Sequence, residues 1–372
     1  MTIMLLAVSL LYAFFTIVLW VTWLRIPSLK SASNLAAGPR ITVIIPVRNE
    51  AENILPLLDD LKAQTYTNFD VIVADDSSTD DTLRIVQAYA STVTFLRVLP
   101  LADERSQSPK KRAITQSITV ASGDLIVTTD GDCRVGSQWL ASIAGFYQKT
   151  GAKLISGPVT FTAERTVFDY LQTVEFSSLI GSGACTMALG SPTMCNGANL
   201  CYEKKVFTEV GGFTGVDHIA SGDDEFLLHK IADRYPDGVQ FLKCAEAIVQ
   251  TQPHSSLQSF YYQRKRWASK WRTYQSWVPM ILAVFIFLSN AAPVVAVVGW
   301  LLNFLDGSTA IFVVVLKVIP EFLFLRQVLV FLQKNKSVVF IPLTQLVYPF
   351  YVVFFGLAAQ GKGYQWKGRK LT

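Results

Sequence analysis

No charged residue stands between Ile3 and Trp23, and a run of 21 uncharged, mostly apolar positions leaves a chain few ways to fold. About 20 such residues in a helix cross the hydrocarbon core of a bilayer, and a helix satisfies its own backbone hydrogen bonds there. The run ends in Trp20, Trp23, Arg25 and Lys30 and has no basic start. That is the pattern of a membrane anchor, because a cleaved leader begins with basic residues and stops at small ones. Composition agrees: 51% of the chain is hydrophobic and 16% charged, against about 25% charged in soluble domains, and the apolar excess gathers at the two ends.

The expected organisation is a membrane protein with a soluble middle. A transmembrane helix covers 1–25, a linker 26–39, a soluble domain 40–256, an interfacial amphipathic helix 257–277, a membrane region 278–360 and a basic tail 361–372. Arg25, Lys30 and Arg40 follow the first helix while no Lys or Arg precedes it. The positive-inside rule therefore puts the middle domain in the cytosol, at a cell inner membrane.

Val278 to Phe304 and Val338 to Ala359 are expected to span. Ile311 to Leu332 is long enough but carries Lys317, Pro320, Glu321 and Arg326, and charges at mid-membrane depth face protein or water. Two or three C-terminal spans are thus open. Two keep Lys362, Lys367, Arg369 and Lys370 on the cytosolic side, as the positive-inside tendency prefers, and three place them opposite. The five cysteines, Cys133, Cys185, Cys195, Cys201 and Cys244, are odd in number with no Cys-x-x-Cys spacing, which speaks against a disulfide framework and a zinc site. The net charge of +5 comes with no basic stripe interleaved with aromatics, so nucleic acid is not an expected partner. The oligomeric state is left open.

In the middle, β-branched runs at Ile41–Ile45, Phe69–Ala74, Val93–Leu99 and Asp124–Thr129 alternate with helical periodicity at Asn53–Ala63, Asp80–Tyr89 and Lys111–Ala121. Such alternation predicts a mostly parallel α/β sheet of Rossmann-like type. Ligands collect beyond the carboxyl ends of strands in these sheets. Asn49, Glu50, Asp75, Asp76, Asp130 and Asp132 all fall there. Further on, a helix near Phe168–Ile180 precedes a Gly-rich stretch from Gly181 to Gly197, and another helix runs from Asp223 to Asp233. The segment from Leu257 to Trp277 carries Arg264, Lys265, Arg266, Lys270 and Arg272 among aromatics, which fits a helix on a membrane surface.

Asp130-Gly131-Asp132 follows an apolar strand. Two carboxylates projecting there suit Mg2+ or Mn2+, hard ions that take one or two protein carboxylates and complete their shell with phosphate oxygens and water. The series Pro46-Val-Arg-Asn-Glu50, Asp75-Asp76-Ser77-Ser78-Thr79-Asp80, Asp130-Gly-Asp132, Asp223-Asp224 and Gln263-Arg-Lys-Arg-Trp267 resembles, in order and spacing, the inverting family 2 glycosyltransferases. Cys195-Asn-Gly-Ala-Asn199 and Gly211-Gly-Phe213 extend the resemblance, which covers about Arg40 to Trp271.

The resemblance implies a GT-A domain and a metal-dependent hexosyltransferase acting on a nucleotide-sugar donor, with a UDP-sugar favoured. It implies that Glu50, Asp75 and Asp76 hold the nucleoside, and that Lys110 or Lys111 and Arg266 lie near the donor phosphates. Asp132 would be the metal ligand and Asp130 a contact to metal or ribose. Asp224 resembles the base that deprotonates the acceptor hydroxyl, with Asp223 and Glu225 as alternatives because Asp223 replaces the family's Glu. Asn199, Gln263 and Trp267 are implied at the acceptor. Arg offers a planar fork for phosphate and Trp a flat face for a sugar or lipid; the alternative for both is an interfacial helix of basic and aromatic residues. With membrane segments on both sides, a lipid or lipid-linked acceptor is expected, the product being a glycolipid. A processive polysaccharide synthase is the second reading, and a silent scaffold or transporter-like membrane protein a third.

Overall fold

The computed structural model describes residues 2–30, 38–102, 107–269, 278–358, 364–366 and 369–371. Residues 31–37 of the expected linker, the expected basic residues Lys270 and Arg272, and Lys362 and Lys367 of the tail lie outside the described residues. In chain order the elements are α1 (Thr2–Arg25), β1 (Ile41–Val47), α2 (Ile54–Lys62), β2 (Phe69–Asp75), α3 (Thr82–Ala90), β3 (Leu96–Pro100), α4 (Pro109–Val120), β4 (Leu125–Thr128) and α5 (Trp139–Thr150). Then come β5 (Leu154–Ser156), β6 (Val159–Phe161), α6 (Val167–Ala188), β7 (Leu200–Glu203), α7 (Lys204–Glu209), α8 (Asp223–Arg234), β8 (Val239–Phe241), β9 (Val249–Thr251) and α9 (Leu257–Ser269). Three long helices follow: α10 (Val278–Leu301), α11 (Gly307–Phe331) and α12 (Ile341–Ala358).

A seven-stranded sheet in the order β3-β2-β1-β4-β7-β5-β8 forms the centre of the soluble part. The first four strands run parallel. Strand β1 is buried along nearly its whole length, as a central parallel strand covered by helices on both faces must be. Strand β7 is antiparallel to both neighbours, so the sheet is mostly parallel, as expected. A separate two-stranded pair, β6 with β9, sets Phe161 beside Thr251.

Helix α6 runs past the expected end at Ile180 and takes Gly181 and Gly183 into its body. The glycine at 181 serves packing: a Cβ there would lie 2.6 Å from Cγ2 of Val328 on α11. The Gly-rich composition that suggests a loop is in fact the contact that lets α6 approach a long apolar helix.

Among the described residues four helices are long and apolar enough to cross a membrane by length and composition, one before the α/β domain and three after it. The middle C-terminal segment, left open by the sequence, is a helix of 25 residues. Its Lys317 and Glu321 are buried, paired at 2.6 Å, and joined by Tyr12 of α1 and by Gln345 of α12 at 3.2 Å. The charges thus face protein, as intramembrane charges do. Removing one partner of such a pair strands a charge. Glu321→Leu is expected to lower unfolding stability by about 3–5 kcal/mol, and Lys317→Met with Glu321→Leu by much less. Denaturation in detergent checks this; equal losses in the two variants would show that the pair is not energetically coupled.

The soluble part is anchored directly on α1. Trp23 is buried against Phe241 and Phe331. Lys243 donates to the carbonyl of Trp23 at 2.6 Å and lies over its ring at 4.3 Å, a cation at a helix C-terminus where the exposed carbonyls favour it.

Candidate active site

Beyond the carboxyl ends of β1, β2 and β4 lies a cavity of about 760 Å3, within the range of a site that encloses a small ligand. One end is charged. Arg48, Glu50, Asp76, Lys110, Asp130, Asp132, Asp223 and Asp224 line it. The other end is apolar, walled by one face of α6 through Phe176, Leu179, Ile180, Gly183 and Ala184, with Trp267 of α9 beside them. Those α6 positions follow the i, i+3, i+4, i+7, i+8 spacing that puts side chains on one helical face.

Strand β4 delivers Asp130 and Asp132. The glycine between them packs on the neighbouring loop, since a Cβ at Gly131 would lie 3.0 Å from Glu50 Cγ and Val47 Cγ1. Burial, and then the charge of Asp130, push the Asp132 carboxyl above its usual range. Thr251 on β9 donates a hydrogen bond to it at 3.3 Å. Two acids in one recess, one of them disfavoured as an anion, form a site that a cation would stabilise. Among the described residues no group of three acidic, histidine or cysteine side chains is placed to hold a metal. The donor set therefore fits an ion that takes two protein carboxylates at most and finds its other ligands on phosphate and water, which is magnesium or manganese chemistry.

Lys110 sits among the acids. It donates to Asp130 at 2.8 Å and lies 3.3 Å from Asp223. Burial alone would lower its pKa, but the surrounding charges of Asp130, Asp223 and Asp224 outweigh that and hold it well above the ordinary lysine range. The sequence left Lys110 and Lys111 as equals. The structure separates them: Lys111 is buried, turned toward the carbonyls of Val216 and Ile219 at 2.7 and 2.8 Å and over the Phe226 ring. Its expected donor contact is replaced by a role in holding the 216–219 turn.

The first turn of α8 carries Asp223, Asp224 and Glu225, all of which line the cavity. Gly222 before it has φ of 78°, a left-handed conformation that glycine adopts without steric cost. It lets the helix begin abruptly at the cavity. Asp224 accepts from the Gly197 amide at 3.0 Å and from the Glu225 amide at 2.8 Å, which holds its side chain at the cavity wall.

Asp76 lines the cavity and is paired with Arg112 at 2.6 Å, while Arg48 donates to the carbonyls of Asp76 and Ser77. Asp75 does not line it. Both its oxygens accept from the amide and hydroxyl of Ser78, which clasps the turn after β2. Asn199 is 1% exposed and bonds the carbonyls of Pro158 and Ala247 and the indole N–H of Trp139. Both of its amide N–H groups and one lone pair of its oxygen are thus engaged by the fold. Asn199→Ala is expected to cost about 1–3 kcal/mol for the groups it strands, with no change in acceptor KM; a raised KM at unchanged melting temperature would restore Asn199 to the acceptor site.

Gln263, Arg266 and Trp267 all line the cavity from α9. His254 lines it as well, its pKa lowered mainly by burial, so the imidazole is neutral at neutral pH. Helix α9 does not lie free on a surface over its described length. It stands between the cavity and α12, with Phe260 and Tyr261 against Tyr351 and Phe355. Sequence reasoning missed Arg48 and Arg264, although both sit inside quoted motifs, and the apolar face of α6, whose spacing was visible.

The sequence model of a family described as Glycosyl transferase family 21 matches residues 1–372. The glycosyltransferase AglE of Haloferax volcanii is 31% identical over 204 residues, 52% of this chain and 62% of its own length. A poly-beta-1,6-N-acetyl-D-glucosamine synthase of Staphylococcus aureus is 25% identical over 46% of this chain and 41% of its own. A beta-monoglucosyldiacylglycerol synthase of Nostoc sp. is 25% identical over 62% and 48%. The chain thus spans about half the length of these relatives. Among solved structures, a mannosyltransferase from Pyrobaculum calidifontis in complex with GDP-Man and Mn2+ has a TM-score of 0.55 at 20% identity, over 93% of this chain and 97% of that one. At that identity the likeness shows the GT-A fold.

Proposed function

We propose that this chain, which belongs to Glycosyl transferase family 21, transfers a single hexose-type unit from a nucleotide-sugar donor to a lipid or lipid-linked acceptor, on the cytosolic side of a membrane. The motif series resembles family 2, whereas the matching family is 21, so the sequence expectation holds at the level of a glycosyltransferase. One observation carries the finer reading. A single cavity joins a cluster of acids and cations at one end to an apolar helix face and Trp267 at the other. A charged diphosphate suits the first end and an acyl or prenyl chain the second.

Lys110 and Arg266 are positioned to offset phosphate charge, and Arg48, Glu50 and Asp76 to hold the nucleoside. Asp224 takes the proton of the acceptor hydroxyl as its oxygen attacks the anomeric carbon; the bond from that carbon to the diphosphate breaks, and its electron pair leaves with the nucleoside diphosphate. Attack from the face opposite the leaving group inverts the configuration. A divalent ion at Asp132 and Asp130 would neutralise charge on the departing diphosphate. Asp223 is paired with Lys110 and is assigned to holding that lysine at the donor.

A processive synthase is the second reading, supported by the name of the Staphylococcus relative. Sizing the products of purified protein supplied with nucleotide sugars and membrane lipids tests both. A lipid carrying one sugar is the expected result; a long polymer moves the assignment to the second reading, and no transfer to any lipid removes the acceptor proposal.

A further inference from the structure

Deep to the acceptor end of the cavity lies an ion pair that no step above uses. Arg264 is 3% exposed and its guanidinium pairs with Glu175 of α6. The other oxygen of Glu175 accepts from the hydroxyl of Tyr351 on α12 at 3.1 Å. One carboxylate therefore ties together α6, α9 and the last apolar helix. Each partner adjoins a cavity wall: Phe176 follows Glu175, and Gln263 precedes Arg264. Arg264 also acts on two acceptor-side groups directly. It donates to Gln263 at 2.6 Å, and its planar cation lies 4.3 Å from the Trp267 ring centroid and 4.6 Å from that of Phe260. Trp267 in turn stacks on Phe176.

A buried ion pair is a poor source of stability, because desolvation offsets its attraction and apolar residues of like volume often do better. Its geometry here has a different consequence. The planar guanidinium fixes the plane of an indole and the orientation of an amide, neither of which helix packing alone determines.

We propose that Arg264 is a positioning residue for the acceptor, and that Glu175 and Tyr351 make the setting of Gln263 and Trp267 depend on where α12 lies. The inference rests on the acceptor reading given above. The membrane-embedded end of the protein thereby shapes the site that receives a membrane-delivered substrate, while the donor end is built mainly on β1, β2 and β4, with Arg266 reaching it from α9.

The test uses full-length protein in detergent with a lipid acceptor shown to be glycosylated by the wild type. Arg264→Gln combined with Glu175→Gln removes both charges together, so none is left stranded. It is expected to raise acceptor KM on the order of tenfold, with nucleotide affinity, read by calorimetry, unchanged. Tyr351→Phe removes one hydroxyl and keeps the packing, and is expected to shift acceptor KM in the same direction by a few-fold. Unchanged acceptor KM in Tyr351→Phe and in the double variant overturns the proposal. So does equal loss of nucleotide and acceptor binding, which marks a structural role only. If the double variant does not fold, Tyr351→Phe decides alone: a raised acceptor KM supports the proposal and an unchanged one overturns it. Wild type that transfers no sugar to any lipid is the separate failure of the acceptor reading.

Discussion

Asp224→Asn is expected to lower kcat about 10²–10⁴-fold, the range that follows from removing a general base, with donor KM changed no more than a few-fold. The side chain is held by the amides of Gly197 and Glu225. The two amides bond different oxygens, so asparagine keeps an acceptor for one and sets its NH2 against the other, and the fold is expected to lose about 1–3 kcal/mol. Asp223→Asn should behave differently. It releases Lys110 from one of its two ion pairs, which alters donor binding more than turnover. Steady-state transfer by purified protein separates the two. Full activity in Asp224→Asn sinks the assignment, and a collapse of kcat confined to Asp223→Asn transfers the role to Asp223.

Removal of the proposed divalent ion is expected to have the second large effect. Chelation followed by dialysis is expected to lower turnover on the order of 10³-fold, since a metal at a departing diphosphate supplies several kcal/mol and each 1.36 kcal/mol is a factor of ten. Adding Mn2+ or Mg2+ back should restore the wild type but not Asp132→Ala. The reason lies in the recess itself: Asp132 is half-buried beside Asp130, and its carboxyl is pushed up by desolvation first and by that neighbour second. A cation reverses both effects. Mn2+ binding in the presence of nucleotide, followed by its paramagnetic signal, gives a readout apart from activity, and should weaken strongly in Asp132→Ala. Turnover that survives chelation and dialysis withdraws the metal from the mechanism.

Much of this site was legible because its residues sit at positions that local sequence defines. Asp130 and Asp132 end an apolar strand, so strand periodicity placed them at the edge of a sheet, while Asp223 and Asp224 begin a helix and joined the candidate site through the resemblance. Lys110 and Lys111 could not be told apart in that way. Adjacent residues on a helix point about 100° apart, and only the packing of α4 against the 216–219 turn shows which one enters the cavity. The surroundings of Asp75 and Asn199 were hidden for a related reason: a motif records residue types, while the hydrogen bonds that join Asp75 to Ser78 and Asn199 to Trp139 exist only in the folded loop. The glycines of α6 misled because a glycine that admits a neighbouring helix looks the same in sequence as one that turns a chain.

The sequence by itself determined the spanning length of α1, the mostly parallel sheet and the acids at its strand ends. Each of these follows from periodicity or charge along a few turns of chain, whereas the α9 residues Gln263, Arg266 and Trp267 were singled out by the resemblance to a known family. The tertiary structure decided what depends on partners far away in sequence. It set Lys317 and Glu321 of the uncertain middle segment against Tyr12 and Gln345, so that a charged stretch became an apolar-length helix with its charges inward. It also joined the acid cluster to the apolar face of α6 in one cavity. Buried charge is tolerated only where a partner arrives from another element, and no local pattern specifies that partner.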